Sequence, residues 1–195
     1  MSSMNASRKA LIVVDIQNDY FPGGRWTLSH VEEAAGKAAL MIDAFRESGN
    51  LVVHIRHEFP SDDAPFFRPG SEGAQIHPSV LNRLGEHVVL KHHINSFRET
   101  DLKEVLDRHD IDEVVVVGNM SHMCVDGITR AAVDFGYRTT VLHDACATLD
   151  LELNGVKVPA AQVHAAFMAA LAFGYASVVS TADYLKACGT SHPLI

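Results

Sequence analysis

Val114-Val115-Val116-Val117-Gly118-Asn119-Met120-Ser121-His122-Met123-Cys124-Val125-Asp126-Gly127-Ile128-Thr129-Arg130-Ala131-Ala132 is the stretch on which the fold turns. Four consecutive β-branched apolar residues predict a strand buried on both faces, as in a parallel sheet, and Gly118 ends it. Apolar residues then recur at helical spacing (Val125, Ile128, Ala131, Ala132, Phe135) up to Gly136, predicting a helix with a glycine stop. Cys124 is thereby expected in the first helical turn, just past the carboxyl end of a parallel strand. Unpaired N–H groups and the helix dipole favour a thiolate there, which makes Cys124 a candidate nucleophile.

The same alternation extends outward. Short apolar runs at 10–14, 51–55, 87–90, 138–142 and 176–180 predict further strands, and the intervening segments at 31–47, 100–109 and 159–173 predict helices. Strands alternating with helices imply right-handed crossovers and a mainly parallel six-stranded sheet between helical layers, a three-layer α/β/α, Rossmann-like architecture. At 195 residues the chain is expected to form a single domain, 1–195. The loop from Phe59 to Pro78 is long and rich in aromatic and polar residues, and is expected to help cover a site.

Composition removes several function classes. With 16 Lys and Arg against 24 Asp and Glu the formal charge is −8, which disfavours a nucleic-acid partner. Cys124, Cys146 and Cys188 have neither zinc-site nor disulfide spacing and suit a reducing cytoplasm. Met1 to Arg8 is polar and has no signal-peptide pattern. The uncharged stretch 158–182 is interrupted by Gly174 and reads as a buried helix and strand, so no membrane partner is expected. Neither nucleotide-binding glycine motif follows the first strand. A homo-oligomer is expected from the alanine-rich segment 160–172.

In parallel sheets ligands bind at the carboxyl ends of the strands. Asp15, Lys91 and Cys124 end or follow three of the expected strands, so an acid, a cation and a sulfur are expected to converge. A thiol attacking an amide carbonyl needs a base, a later acid and donors for the oxyanion. Asp15 is the candidate base and acid, and Lys91 the group that stabilises charge on both neighbours.

The pieces Ala10-Leu-Ile-Val-Val-Asp15-Ile-Gln-Asn-Asp19, Val89-Leu-Lys91, Gly118-Asn-Met-Ser-His-Met-Cys124-Val125 and Asp144-Ala-Cys-Ala-Thr148 resemble the isochorismatase-like cysteine hydrolases, which include nicotinamidases and N-carbamoylsarcosine amidase. They run in the family's order over nearly the whole chain. The resemblance implies Asp15, Lys91 and Cys124 as a catalytic triad, a cis peptide at Asn119–Met120, and the Met120 and Cys124 N–H groups as an oxyanion hole. It also implies a small-molecule substrate. Where nicotinamidases carry a metal-binding Asp-x-His and a later His, this chain reads His57-Glu58-Phe59 and Phe66. Phenyl groups are no ligands, so no metal and no cofactor are expected. His54 is expected in the core or a second layer, His57 at the pocket, and His77 in a structural role.

Candidate substrate-binding residues are the loop aromatics Phe21, Trp26, Phe66, Phe67 and Phe97, with His122 beside the oxyanion donors. The expected reaction is cleavage of a C–N bond in a small amide, carbamoyl or lactam-type compound through a thioester on Cys124. A vinyl-ether hydrolase releasing pyruvate from isochorismate, and a non-catalytic binding module, are the competing readings.

Overall fold

The computed structural model describes residues 8–189, so the reading of Met1 to Arg8 falls, but for Arg8, outside the described residues. The central sheet has six strands, all parallel, in the order β3-β2-β1-β4-β5-β8. They are β1 (Lys9–Val14), β2 (Leu51–His57), β3 (His87–Lys91), β4 (Glu113–Asn119), β5 (Arg138–Ala147) and β8 (Ser177–Val179). A separate antiparallel hairpin joins β6 (Leu151–Leu153) to β7 (Val156–Val158).

The helices are α1 (Val31–Glu47), α2 (Leu102–Arg108), α3 (Cys124–Asp134), α4 (Ala160–Gly174) and α5 (Thr181–Ala187). Alternation within the central strands divides the core. On β1 and β4, Leu11, Val13, Val115 and Val117 face a layer containing α1 and α5. Ala10, Ile12, Val14, Val114 and Val116 face α2, α3 and α4. Two-sided burial of this kind is why both strands are near-continuous apolar runs. The α4 helix lacks charge and leaves Phe173 95% exposed. Among the described residues no helix is long and apolar enough to cross a membrane.

Three expectations change. The strand predicted at 138–142 continues to Ala147, the hairpin and α5 had no apolar run long enough to announce them, and Phe135, expected on the inner face of α3, is half exposed. The extension of β5 matters most. Its register with β4 passes from Val116↔Val141 to Gly118↔Cys146, two steps along one strand and five along the other. This irregularity carries Cys146, Ala147 and Thr148 alongside the loop that follows β4.

Gly118 has φ +118°, and a Cβ there would stand 2.0 Å from the Val14 carbonyl oxygen. Backbone against backbone has no flexible atom to give way. Gly118→Ala is expected to destabilise the protein by about 3 kcal/mol or more in urea denaturation; a loss below about 1 kcal/mol would contradict the close approach of β1 and β4.

His54 lies in β2, 1% exposed, with Nε2 3.4 Å from Glu86 Oε2. Burial lowers its pKa to about 4, the pull of Glu86 notwithstanding, while Arg46, paired with Glu86 through Nε and Oε1 at 2.7 Å, lowers it further. A histidine held neutral in the fold binds protons more readily when unfolded, so its stabilisation is complete above about pH 6.5 and is lost as pH falls toward 4. The contribution is on the order of 3 kcal/mol at most. Chemical denaturation at pH 7 and pH 4.5 is expected to show a smaller acid loss in His54→Met than in the wild type; equal losses would refute this assignment.

Candidate active site

Asp15 follows β1 and has φ +47°, a conformation aspartate tolerates better than most side chains. Its backbone N–H donates to the Ile55 carbonyl at 3.1 Å, which seats it between β1 and β2. Lys91 is the last residue of β3, and Cys124 the first of α3. The three side chains, remote in sequence, meet at the carboxyl rim of the sheet.

Lys91 Nζ lies 2.8 Å from Asp15 Oδ2 and donates to Cys124 Sγ at 3.2 Å. It also donates to the His93 carbonyl at 3.1 Å and to His57 Nδ1 at 2.6 Å. Asp15 and Lys91 are fully buried and Cys124 is 2% exposed. Asp15 Oδ1 has no hydrogen-bond partner among the described residues.

Burial by itself would lower the Lys91 pKa, but Asp15 and the Cys124 sulfur outweigh it and hold the ammonium above its ordinary value. Burial pushes the Cys124 thiol up and the Asp15 carboxylate adds to this, against the weaker downward pull of Lys91. The expectation of a thiolate at the head of α3 is therefore corrected. In the resting site the sulfur is a protonated thiol, because the desolvation of an anion exceeds what a helix terminus and one ammonium return.

Asp15, His57 and Cys124 present a carboxylate oxygen, an imidazole nitrogen and a sulfur within 4.8 Å of one another, donor types that zinc uses. Lys91 Nζ already stands against all three. A second cation would have to displace it, so the set is the surround of an ammonium.

The loop before Cys124 is held by the extended β5. The Asn119–Met120 peptide is cis. Asn119 Oδ1 accepts from the Ala147 N–H at 3.2 Å, and the Ser121 N–H donates to the Ala147 carbonyl at 3.0 Å. Ser121 Oγ contacts His164 Nδ1 at 2.7 Å, and His122 Nδ1 contacts Thr148 Oγ1 at 2.6 Å. His122, a candidate for substrate contact, thus has one nitrogen engaged with Thr148. A cavity of about 540 Å³ adjoins this scaffold, lined by His30, His143, Asp144, Thr148, Asp150 and His164 among others; Asp15, Lys91 and Cys124 do not line it.

On the other side of the site, buried polar side chains organise the long loop. Gln17 Nε2 donates to the carbonyls of His57 and Ala74, both at 2.8 Å, and Gln17 Oε1 accepts from the His57 N–H at 2.8 Å. Asp19 accepts from the N–H of Phe67 at 2.7 Å and of Arg25 at 3.2 Å. These bonds gather an aromatic group. Phe67 lies 4.6 Å from Tyr20 and 6.1 Å from His57, Phe66 lies 5.2 Å from Phe59, and Trp26 stacks on Phe66 at 4.9 Å.

Phe66, Phe67 and Trp26 are thus drawn toward the site through Tyr20, Phe59 and His57. Phe21 instead stacks on His77 at 3.5 Å, and Phe97 packs against Phe135 and Tyr137 on the α3 side. Neither makes a ring contact with the Phe66–Phe67 group among the described residues. Tyr20 and Phe59 were absent from the sequence candidates. Tyr20 is fully buried, which raises its phenol pKa, and the nearby Asp15 carboxylate adds to this; its place one residue beyond the Gln17 to Asp19 run was the available signal.

Residues 9–183 match the family described as the isochorismatase domain. The chain is 48% identical over 177 residues to the isochorismatase family protein YddQ of Bacillus subtilis, covering 91% of this chain and 98% of that one. A solved isochorismatase hydrolase from Oleispira antarctica superposes with a TM-score of 0.90 at 56% identity, covering 95% and 100%. Nicotinamidase from Escherichia coli is 26% identical over 218 residues, covering 93% and 99%. This protein belongs to the isochorismatase family of hydrolases.

Proposed function

We propose that the protein is a cysteine amidase acting on a small amide, carbamoyl or lactam-type C–N bond. The observation that carries this reading is the burial of one carboxylate, one ammonium and one thiol around Lys91 Nζ, at 2.8 Å from Asp15 and 3.2 Å from Cys124. The family relationship and the similarity to a nicotinamidase support it.

Asp15 takes the thiol proton as Sγ attacks the carbonyl carbon, forming the C–S bond while the carbonyl π electrons move to oxygen. The backbone N–H groups of Met120 and Cys124 receive that oxyanion; each such donor is typically worth about 2.7–4 kcal/mol to a transition state. Asp15 then returns the proton to the departing nitrogen, the C–N bond breaks, and an acyl thioester remains on Cys124. Water attacks the thioester with Asp15 again as base, and the acid leaves as the thiol is restored. Lys91, ion-paired to Asp15 at 2.8 Å, also offsets the negative charge that appears on sulfur.

Phe66 and Phe67, with Trp26 behind them, wall the substrate on the β1–β2 side, and His122 bounds it near the oxyanion donors. The alternative within the same family is a vinyl-ether hydrolase that protonates isochorismate and releases pyruvate; the matched family description favours keeping it in view.

A screen of primary amides, carbamoyl compounds and lactams for ammonia or amine release, run beside a pyruvate assay with isochorismate, separates the two. Amide turnover that falls at least about a thousandfold in Cys124→Ala is expected. Pyruvate release that survives this substitution, with no amide turned over, would replace the amidase by the vinyl-ether hydrolase.

A further inference from the structure

His57 is 3% exposed at the end of β2 and takes no part in the chemistry above, yet its Nδ1 makes the shortest contact of the buried ammonium, 2.6 Å from Lys91 Nζ. An ammonium has three protons and no lone pair, so this nitrogen can only accept. His57 is therefore the neutral imidazole with its proton on Nε2. We infer that His57 is a positioning residue: its Nδ1 lone pair fixes the Lys91 ammonium between Asp15 and Cys124, making the site a group of four side chains. The inference rests on the reading of Asp15, Lys91 and Cys124 as the reacting group.

Three further observations support it. The three ammonium protons go to His57 Nδ1, the His93 carbonyl and Cys124 Sγ, with Asp15 Oδ2 beside them as an ion pair at 2.8 Å. Sulfur, at 3.2 Å, is the weakest of these, so the direction of the proton aimed at it depends on where the stronger acceptors stand. The residue that carries the imidazole is itself held, since Gln17 Oε1 accepts from the His57 backbone N–H and Gln17 Nε2 donates to its backbone carbonyl, and the ring packs 4.6 Å from the Phe59 ring and 6.1 Å from that of Phe67.

The surroundings also keep the ring neutral. Burial lowers its pKa to about 4; Asp15 just after β1 opposes this, while Lys91 at the end of β3 and His92 and His93 in the loop after it reinforce it. The remaining ring N–H, on Nε2, is buried with no partner among the described residues. It is the group of this imidazole left to donate to an acceptor on a bound substrate.

Asparagine and glutamine separate the two edges of the ring, because the Asn side-chain oxygen can stand near the Nδ1 position and the Gln amide reaches the Nε2 position. The readout is the pH profile of Cys124 carbamidomethylation by iodoacetamide, followed by peptide mass spectrometry to distinguish it from Cys146 and Cys188. It needs no substrate, so a failure of the amidase reading leaves this test intact. In folded His57→Leu protein the rate at pH 8 is expected to fall about tenfold, with the profile moved to higher pH. His57→Asn is expected to restore both to within about twofold and His57→Gln to restore neither.

A folded His57→Leu protein with the wild-type profile would reduce His57 to packing. Restoration by glutamine and not asparagine would place the role on the wrong edge of the ring. Either result overturns the inference, and the Asn–Gln comparison decides it even where the leucine variant does not fold.

Discussion

A fully buried ammonium holds this site together. Lys91 has no exposure to solvent, and the cost of removing a cation from water is several kcal/mol unless nearby groups compensate. Asp15 supplies the opposite charge, and His57, His93 and Cys124 supply lone pairs. Asp15, buried to the same degree, has Lys91 as its compensating cation. Each of the two charges is tolerable only because of the other, so the three strands that deliver Asp15, His57 and Lys91 must end at one level. The parallel registers of β1 with β2 and of β2 with β3, which set Lys91 opposite His57, meet that requirement.

The same burial explains the state of the sulfur. Placed at the first turn of a helix, Cys124 has surroundings that often yield a thiolate. Here the low dielectric and the Asp15 carboxylate prevail and the thiol keeps its proton. With one cation and one anion buried side by side, the cluster carries no net charge into the interior.

Two scaffolds flank this group, and both are made by polar side chains buried away from solvent. Gln17 and Asp19 bind the backbone of β2 and of the long loop, setting Phe66 and Phe67 in place. On the other side the irregular pairing of β4 with β5 brings Ala147 and Thr148 against Asn119, Ser121 and His122. Buried polar groups are costly unless bonded, and once bonded they tolerate few alternative arrangements. That rigidity fixes both the loop after β4 and the aromatic group of the long loop.

The order of the strands' apolar runs, the helices between them and the acid, lysine and cysteine at their ends could all be read from the chain, because hydrophobic period and turn chemistry are local properties of sequence. The Gln17 to Asp19 run stood in plain view too, though its role as a scaffold did not. What folding alone decided were contacts between distant segments. The extra reach of β5 depends on a register irregularity against β4; Phe97 packs in the core layer opposite Phe66 and Phe67, while Phe21 shares their layer but stacks on His77. The protonation of Cys124 and the place of His57 beside Lys91 depend on burial and on distances of a few ångströms. A one-dimensional pattern carries no desolvation and no Coulomb distance, so it names the acid, the lysine and the cysteine but leaves the state of the thiol and the supports around it to the tertiary structure.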